Sequence, residues 1–88
     1  MKKYLVLETS VATDDNSNFK GVTLKSYSGK NGEVLLEGEI VGREWLLGYF
    51  ALHYGYASEA QAKRNYSYRN PENNQNWQST VKIIPVEV

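Results

Sequence analysis

The amino-acid sequence predicts an α+β fold: a single antiparallel sheet of about five strands, in the order β-β-β-β-α-β, packed on one helix. Three observations point there. Short apolar runs rich in β-forming residues alternate with turn residues along most of the chain. Asn31-Gly32 lies between two such runs, and both residue types tolerate positive φ, which is a hairpin signal. Ser58-Glu59-Ala60-Gln61 has the form of a helix capping box, and Pro71 then supplies a stop.

The 88 residues suit one domain, spanning 1–88, and a hydrophobic fraction of 41% is enough for one core. Ten Lys and Arg balance ten Asp and Glu, so the formal net charge is zero. Bulk charge therefore argues against a strongly basic nucleic-acid binder and against an acidic DNA mimic. The chain has no cysteine, hence no disulfide framework, thiolate metal site or cysteine nucleophile. Met1-Lys2-Lys3 resembles the opening of a signal peptide, but Tyr4 to Leu7 is too short an apolar run and Glu8 follows it. No stretch approaches the length of a membrane span. The expected location is cytoplasmic.

The first strand is expected over Lys3 to Val11, with Tyr4, Leu5, Val6 and Leu7 buried on both faces. Asp14 to Asn18 reads as a loop in which Asp and Asn side chains bond to nearby backbone. Its adjacent carboxylates lack the spacing and the later Glu of a calcium loop. Val22 to Tyr27 alternates as a half-buried strand, with Val22, Leu24 and Ser26 on one face. Gly29-Lys30-Asn31-Gly32 has neither the spacing nor the ending of a phosphate loop. The return strand is expected over Glu33 to Val41, with Val34, Leu36, Gly38 and Ile40 inward. That register places Glu33, Glu37 and Glu39 on the outer face as an acidic stripe, about 7 Å between period-two neighbours. Such a stripe is a docking surface for a basic partner or an ordinary solvated face.

Trp45 to Tyr54 is read as a strand from its aromatic density and Gly48, with a helix as the alternative. As a helix it would line Trp45, Tyr49, Leu52 and Tyr56 on one side. His53, the single histidine, has no Cys, Ser or acidic neighbour to make it a ligand or base, and reads as a half-buried strand residue. Gly55 suits the turn into the helix over Ser58 to Asn70, whose Ala62 and Tyr66 face the sheet. Lys63, Arg64 and Arg69 fall in its later half, where cations favour the helix dipole. Tyr66 and Tyr68 interleave with them, a combination that serves protein binding or the stacking of single-stranded nucleic acid. Glu72 to Asn76 is a polar loop, and Trp77 closes over the core edge. Ser79 to Val88 is the last strand, and because Pro85 lacks an N–H, that end is expected on an edge or beyond the ladder.

Ser58-Glu59-Ala60-Gln61-Ala62-Lys63-Arg64, followed by Ser79-Thr80-Val81-Lys82-Ile83, resembles the helix-then-strand ending of some small phage proteins. Certain anti-CRISPR inhibitors, with a sheet wrapped on one helix, are among them. The resemblance covers the last third of the chain. It implies a short non-enzymatic protein that covers a functional surface of a host target. The zero net charge departs from the acidic DNA-mimic members.

These readings converge on a small protein-binding module, phage or mobile-element encoded, that inhibits a host defence complex such as CRISPR-Cas. Its expected contacts are Lys63, Arg64, Tyr66, Tyr68 and Arg69 with Glu33, Glu37 and Glu39. The expected partner is a larger host protein or ribonucleoprotein complex, with no membrane and no cofactor, and with room for a homodimer through an edge strand. The alternative is a nucleic-acid-binding module using the same Lys/Arg/Tyr cluster. No nucleophile–base pair, metal set or phosphate loop recommends an enzyme.

Overall fold

Two long strands pair in register from one end of the molecule to the other. β1 (Lys2–Thr13) and β4 (Trp77–Glu87) are antiparallel, from Lys2 opposite Glu87 to Ala12 opposite Trp77. β2 (Phe19–Ser28) pairs with the other side of β1, and the short β3 (Val34–Leu36) pairs with β2 through Ser26 to Ser28. The sheet is open, antiparallel and four-stranded, in the order β3-β2-β1-β4. Among the described residues, three helices complete the α+β fold: α1 (Glu37–Ile40), α2 (Trp45–Tyr54) and α3 (Glu59–Tyr66). This computed structural model describes residues 1–14, 16, 18–66 and 77–88.

Cross-strand partners share a face, so the register sorts the side chains. Leu5 opposes Ile84, Leu7 opposes Tyr27, and Tyr27 opposes Leu35. Leu46, Leu47, Phe50, Ala51 and Tyr54 of α2 pack on this face, with Ile40 of α1 beside them. Val6 opposes Ile83 on the other face, where Tyr56 and Ala62 of α3 close a second cluster with Tyr4 and Val81. Full burial of a side chain as large as Leu5 contributes roughly 1.5–3 kcal/mol.

The largest difference from the sequence expectation is α2. Trp45 to Tyr54 is a ten-residue helix, not a strand. Its inward residues recur at helical spacing, but its outward residues are also apolar, so no amphipathic pattern marks it. His53 is accordingly an exposed helix residue, and Gly55 joins two helices. Among the described residues the strands number four, because α2 replaces the expected fourth strand.

The return strand is the second difference. It ends at Leu36, and Glu37 to Ile40 make a single helical turn. Leu35 is buried, while Val34 and Leu36 are 56% and 51% exposed, so the inward face is the reverse of the expected one. The acidic stripe over Glu33, Glu37 and Glu39 is not formed, because only the strand period would align them.

Other expectations are met locally. Gly29 N–H donates to the Glu33 carbonyl at 2.9 Å to close the β2–β3 hairpin, and Gly32 adopts φ +92°. Gln61 N–H donates to Ser58 Oγ at 3.2 Å, as a capping box requires. Gln61 Oε1 accepts from Ala57 N–H at 3.3 Å, one residue earlier than expected. Pro85 lies on β4, an edge strand. The expected stop at Pro71 and the loop over 72–76 lie outside the described residues.

The junction between α2 and α3 is stitched to the sheet. Tyr56 and Tyr4 exchange backbone hydrogen bonds at 2.8 and 2.9 Å. Tyr56 Oη, buried, donates to the Gly29 carbonyl at 3.2 Å. Lys30 N–H donates to the Tyr54 carbonyl at 2.7 Å. These approaches leave no room for a Cβ at two positions. At Gly29 it would meet Tyr54 Cβ at 2.7 Å, and at Gly55 it would meet the Ala51 carbonyl oxygen and, at 2.8 Å, Lys3 Cβ.

Gly55→Ala is therefore expected to lower stability by about 1–3 kcal/mol, the range for overpacking. Tyr56→Phe, which removes only the hydroxyl, should lower it by about 1 kcal/mol. Urea midpoints at constant slope check both. A wild-type midpoint for Tyr56→Phe would mean that its hydroxyl does not hold the hairpin.

Candidate protein-binding surfaces

The expected contact residues do not form one site. Lys63 and Arg64 are exposed on α3, over the face that carries Val6 and Ile83. Lys63 Nζ lies 3.5 Å from Glu59 Oε1, one helical turn back. Such an exposed pair contributes little to stability. The Tyr66 side chain, Tyr68 and Arg69 lie outside the described residues.

The three glutamates belong to the hairpin and α1, and each has a local partner. Glu33 Oε2 accepts from Asn31 N–H at 3.0 Å. Desolvation works to raise its carboxyl, but hydrogen bonds from the Glu33 and Asn31 backbone outweigh it and hold the group below its usual range. Glu39 Oε2 accepts from Leu36 N–H at 2.8 Å at the start of α1. Glu37 Oε1 stands 4.0 Å from Lys25 Nζ. Burial, aided by the Glu37 charge, pushes the Tyr27 phenol up.

Asp14 also spends its carboxylate locally. Its Oδ1 accepts from Asn16 and Asn18 N–H, each at 2.9 Å. This is an Asx-type turn rather than the start of a cation loop. Among the described residues no three His, Asp or Glu side chains gather as a metal site would need.

Two exposed apolar surfaces stand out instead. The first is on the sheet. Among the described residues, α3 packs over β1 and β4 and leaves the β2–β3 half of that face bare. Ser26 opposes Leu36 and Ser28 opposes Val34, so Val22, Leu24, Val34 and Leu36 share that bare half. They are between 47% and 56% exposed. The expectation of a half-buried strand holds only at the Tyr27 end of β2. β3 pairs only with Ser26 to Ser28, so Phe19 to Lys25 has no strand on its outer side among the described residues. Lys63 and Arg64 stand on the same side of the sheet.

The second surface is the outer side of α2. Trp45, Tyr49 and Leu52 are 67%, 51% and 47% exposed. Tyr49 packs edge-on to Trp45 at 6.4 Å between ring centroids and leans on His53 at 4.3 Å. The helical alternative for this stretch groups Trp45, Tyr49 and Leu52 as found, but Tyr56 lies beyond the helix and is buried. Isolated exposed apolar residues are ordinary, whereas contiguous groups mark contact sites. Neither surface was recognised in the sequence. The Val22/Leu24 alternation was visible, but what covers it was not.

No protein-family model, curated protein or solved structure matches the chain. Among the described residues, no helix is long and apolar enough to cross a membrane.

The Asp14 turn yields a pH prediction. The backbone N–H of Asn18 chiefly, with that of Asn16, holds the Asp14 carboxyl below its ordinary value. A depressed carboxyl stabilises the fold above its unfolded-state pKa, and that contribution is lost as pH falls through the folded value. Carboxyl-carbon NMR should therefore place the Asp14 midpoint below about 3.9, the value for a free aspartate. Asp14→Asn should flatten the acid limb of the stability curve.

Proposed function

We propose that this protein is a small protein-binding module that takes an extended segment of its partner as an added strand along β2. The observation that carries this reading is that, among the described residues, no strand pairs with the outer edge of β2 over Phe19 to Lys25, where Val22 and Leu24 are exposed. A free strand edge presents unpaired N–H and C=O groups to an incoming chain. Main-chain hydrogen bonds then supply affinity, and alternate side chains supply specificity. Val34 and Leu36 extend the apolar strip beyond the point where β3 takes over the edge. A partner strand with apolar residues at every second position complements it. Lys63 and Arg64 on the same side would favour acidic residues on that partner.

The narrower form of the proposal is inhibition. A phage or mobile-element protein of this kind would act by covering a functional surface of a host defence complex such as CRISPR-Cas. Its support is the likeness of the helix-then-strand ending, joined to the open edge. The alternative, nucleic-acid binding through Lys63 and Arg64 with the neighbouring tyrosines, draws support from the exposed cations on α3.

Affinity capture from a bacterial lysate, with and without nuclease, separates the two. The expected result is a stoichiometric, nuclease-resistant protein that is retained by the wild type and lost with Leu24→Lys. Leu24 is 55% exposed, so this variant should fold normally, as circular dichroism would verify. Capture that disappears on nuclease treatment, weakens steeply with salt and is lost with Arg64→Glu would establish the nucleic-acid reading instead.

A further inference from the structure

We propose that the outer face of α2 binds a second copy of this chain, with the two α2 helices crossing at Gly48. This surface is separate from the β2 edge.

The starting point is a glycine without a role in the single chain. Gly48 lies mid-helix, where glycine costs about 1 kcal/mol relative to alanine. A Cβ built there meets nothing within 4 Å. Gly29 and Gly55 are compelled by close neighbours, but Gly48 has none. Its open side is the side that carries Trp45, Tyr49 and Leu52. A small residue at a helix crossing lets two axes approach closely, because the side chains at the contact set the interaxial distance. Gly48 is half-buried and lies between Trp45 and Leu52 along the helix, and a glycine there is explained by another helix lying across this face.

The pattern around Gly48 identifies that helix as a copy of α2. Trp45 stands about one turn before Gly48 and Leu52 about one turn after it. A two-fold axis through the crossing would set Trp45 of each copy against Leu52 of the other, with the glycines at the centre. This is the self-complementary arrangement that an isologous interface requires. The face itself carries no carboxylate, ammonium or guanidinium, and the whole chain has zero formal charge, so two copies do not repel. Given ~150–250 Å² per aromatic side chain, the exposed fractions of Trp45, Tyr49 and Leu52 leave roughly 400 Å² on each copy. The pair would bury about 800 Å², the size of a weak and transient interface, so association should be weak.

Sedimentation velocity on the full chain, from low micromolar to millimolar concentration, tests this directly. The wild type is expected to pass from monomer to twice the monomer mass. Gly48→Leu and Trp45→Glu should each raise the dimer Kd by about tenfold or more. Gly48→Ala gives the sharper signature: its melting temperature should rise through helix propensity while its dimer weakens. Both side chains point away from the core, and unchanged circular dichroism would confirm the fold. A wild type that stays monomeric throughout would overturn the proposal. So would a dimer unaffected by Gly48→Leu and Trp45→Glu, which would place self-association on a strand edge.

Discussion

The fold depends on the three-residue junction Tyr54-Gly55-Tyr56. β1 needs partners on both sides, and β4 supplies one side throughout. β2 supplies the other only as far as Val6 opposite Ser28, where it turns into the hairpin loop. Tyr56 takes over there and exchanges both backbone hydrogen bonds with Tyr4. Left unpaired and buried, such groups would each cost about 1–3 kcal/mol. The Tyr56 hydroxyl and the Tyr54 carbonyl then hold the hairpin loop against the same point. Because the junction crosses the end of the sheet, α2 goes to one face and α3 to the other. The lack of side chains at Gly29 and Gly55 makes this crossing sterically possible.

A mismatch of lengths explains what remains exposed. β1 has twelve residues, about 40 Å at the strand rise. α2 has ten and α3 eight, about 15 Å and 12 Å at the helix rise. Within the described residues, these two helices, anchored at one end, do not cover so long a sheet. Among the described residues, the far part of β2 is left with apolar side chains on its surface and no strand on its outer edge. α2 differs in kind: it lies fully over the core, yet is apolar on both sides. Each surface therefore has its own physical origin, and the two lie on different elements. A pair of chains joined through α2 would display two β2 edges, so a partner with repeated sites would be held by both at once.

How much was legible beforehand follows from the kind of signal each segment carried. The Ser58 cap, the hairpin at Asn31-Gly32 and the Asp14 turn rest on chemistry between residues a few positions apart. All three appear in the structure, with Gln61 off by one acceptor. β1, β2 and β4 were readable from their β-forming runs, and the edge position of β4 from Pro85. Of the expected contact residues, Lys63 and Arg64 are on an exposed helix, as read. The glutamate alignment assumed a strand that ends at Leu36, and it fails with that strand.

The sequence by itself determined where backbone chemistry forces a turn, a cap or an extended run, and that the chain is electrically balanced and rich enough in apolar residues for one core. Tertiary structure alone decided the state of Trp45 to Tyr54 and the inward face of β3. Periodicity identifies an element only when its two sides differ in polarity, and α2 is apolar on both. In β3 the three residues Val34, Leu35 and Leu36 are all apolar, so either face would serve. Leu35 is inside because α2 and Tyr27 are on its side, while Val34 and Leu36 face the half of the sheet that α3 does not reach.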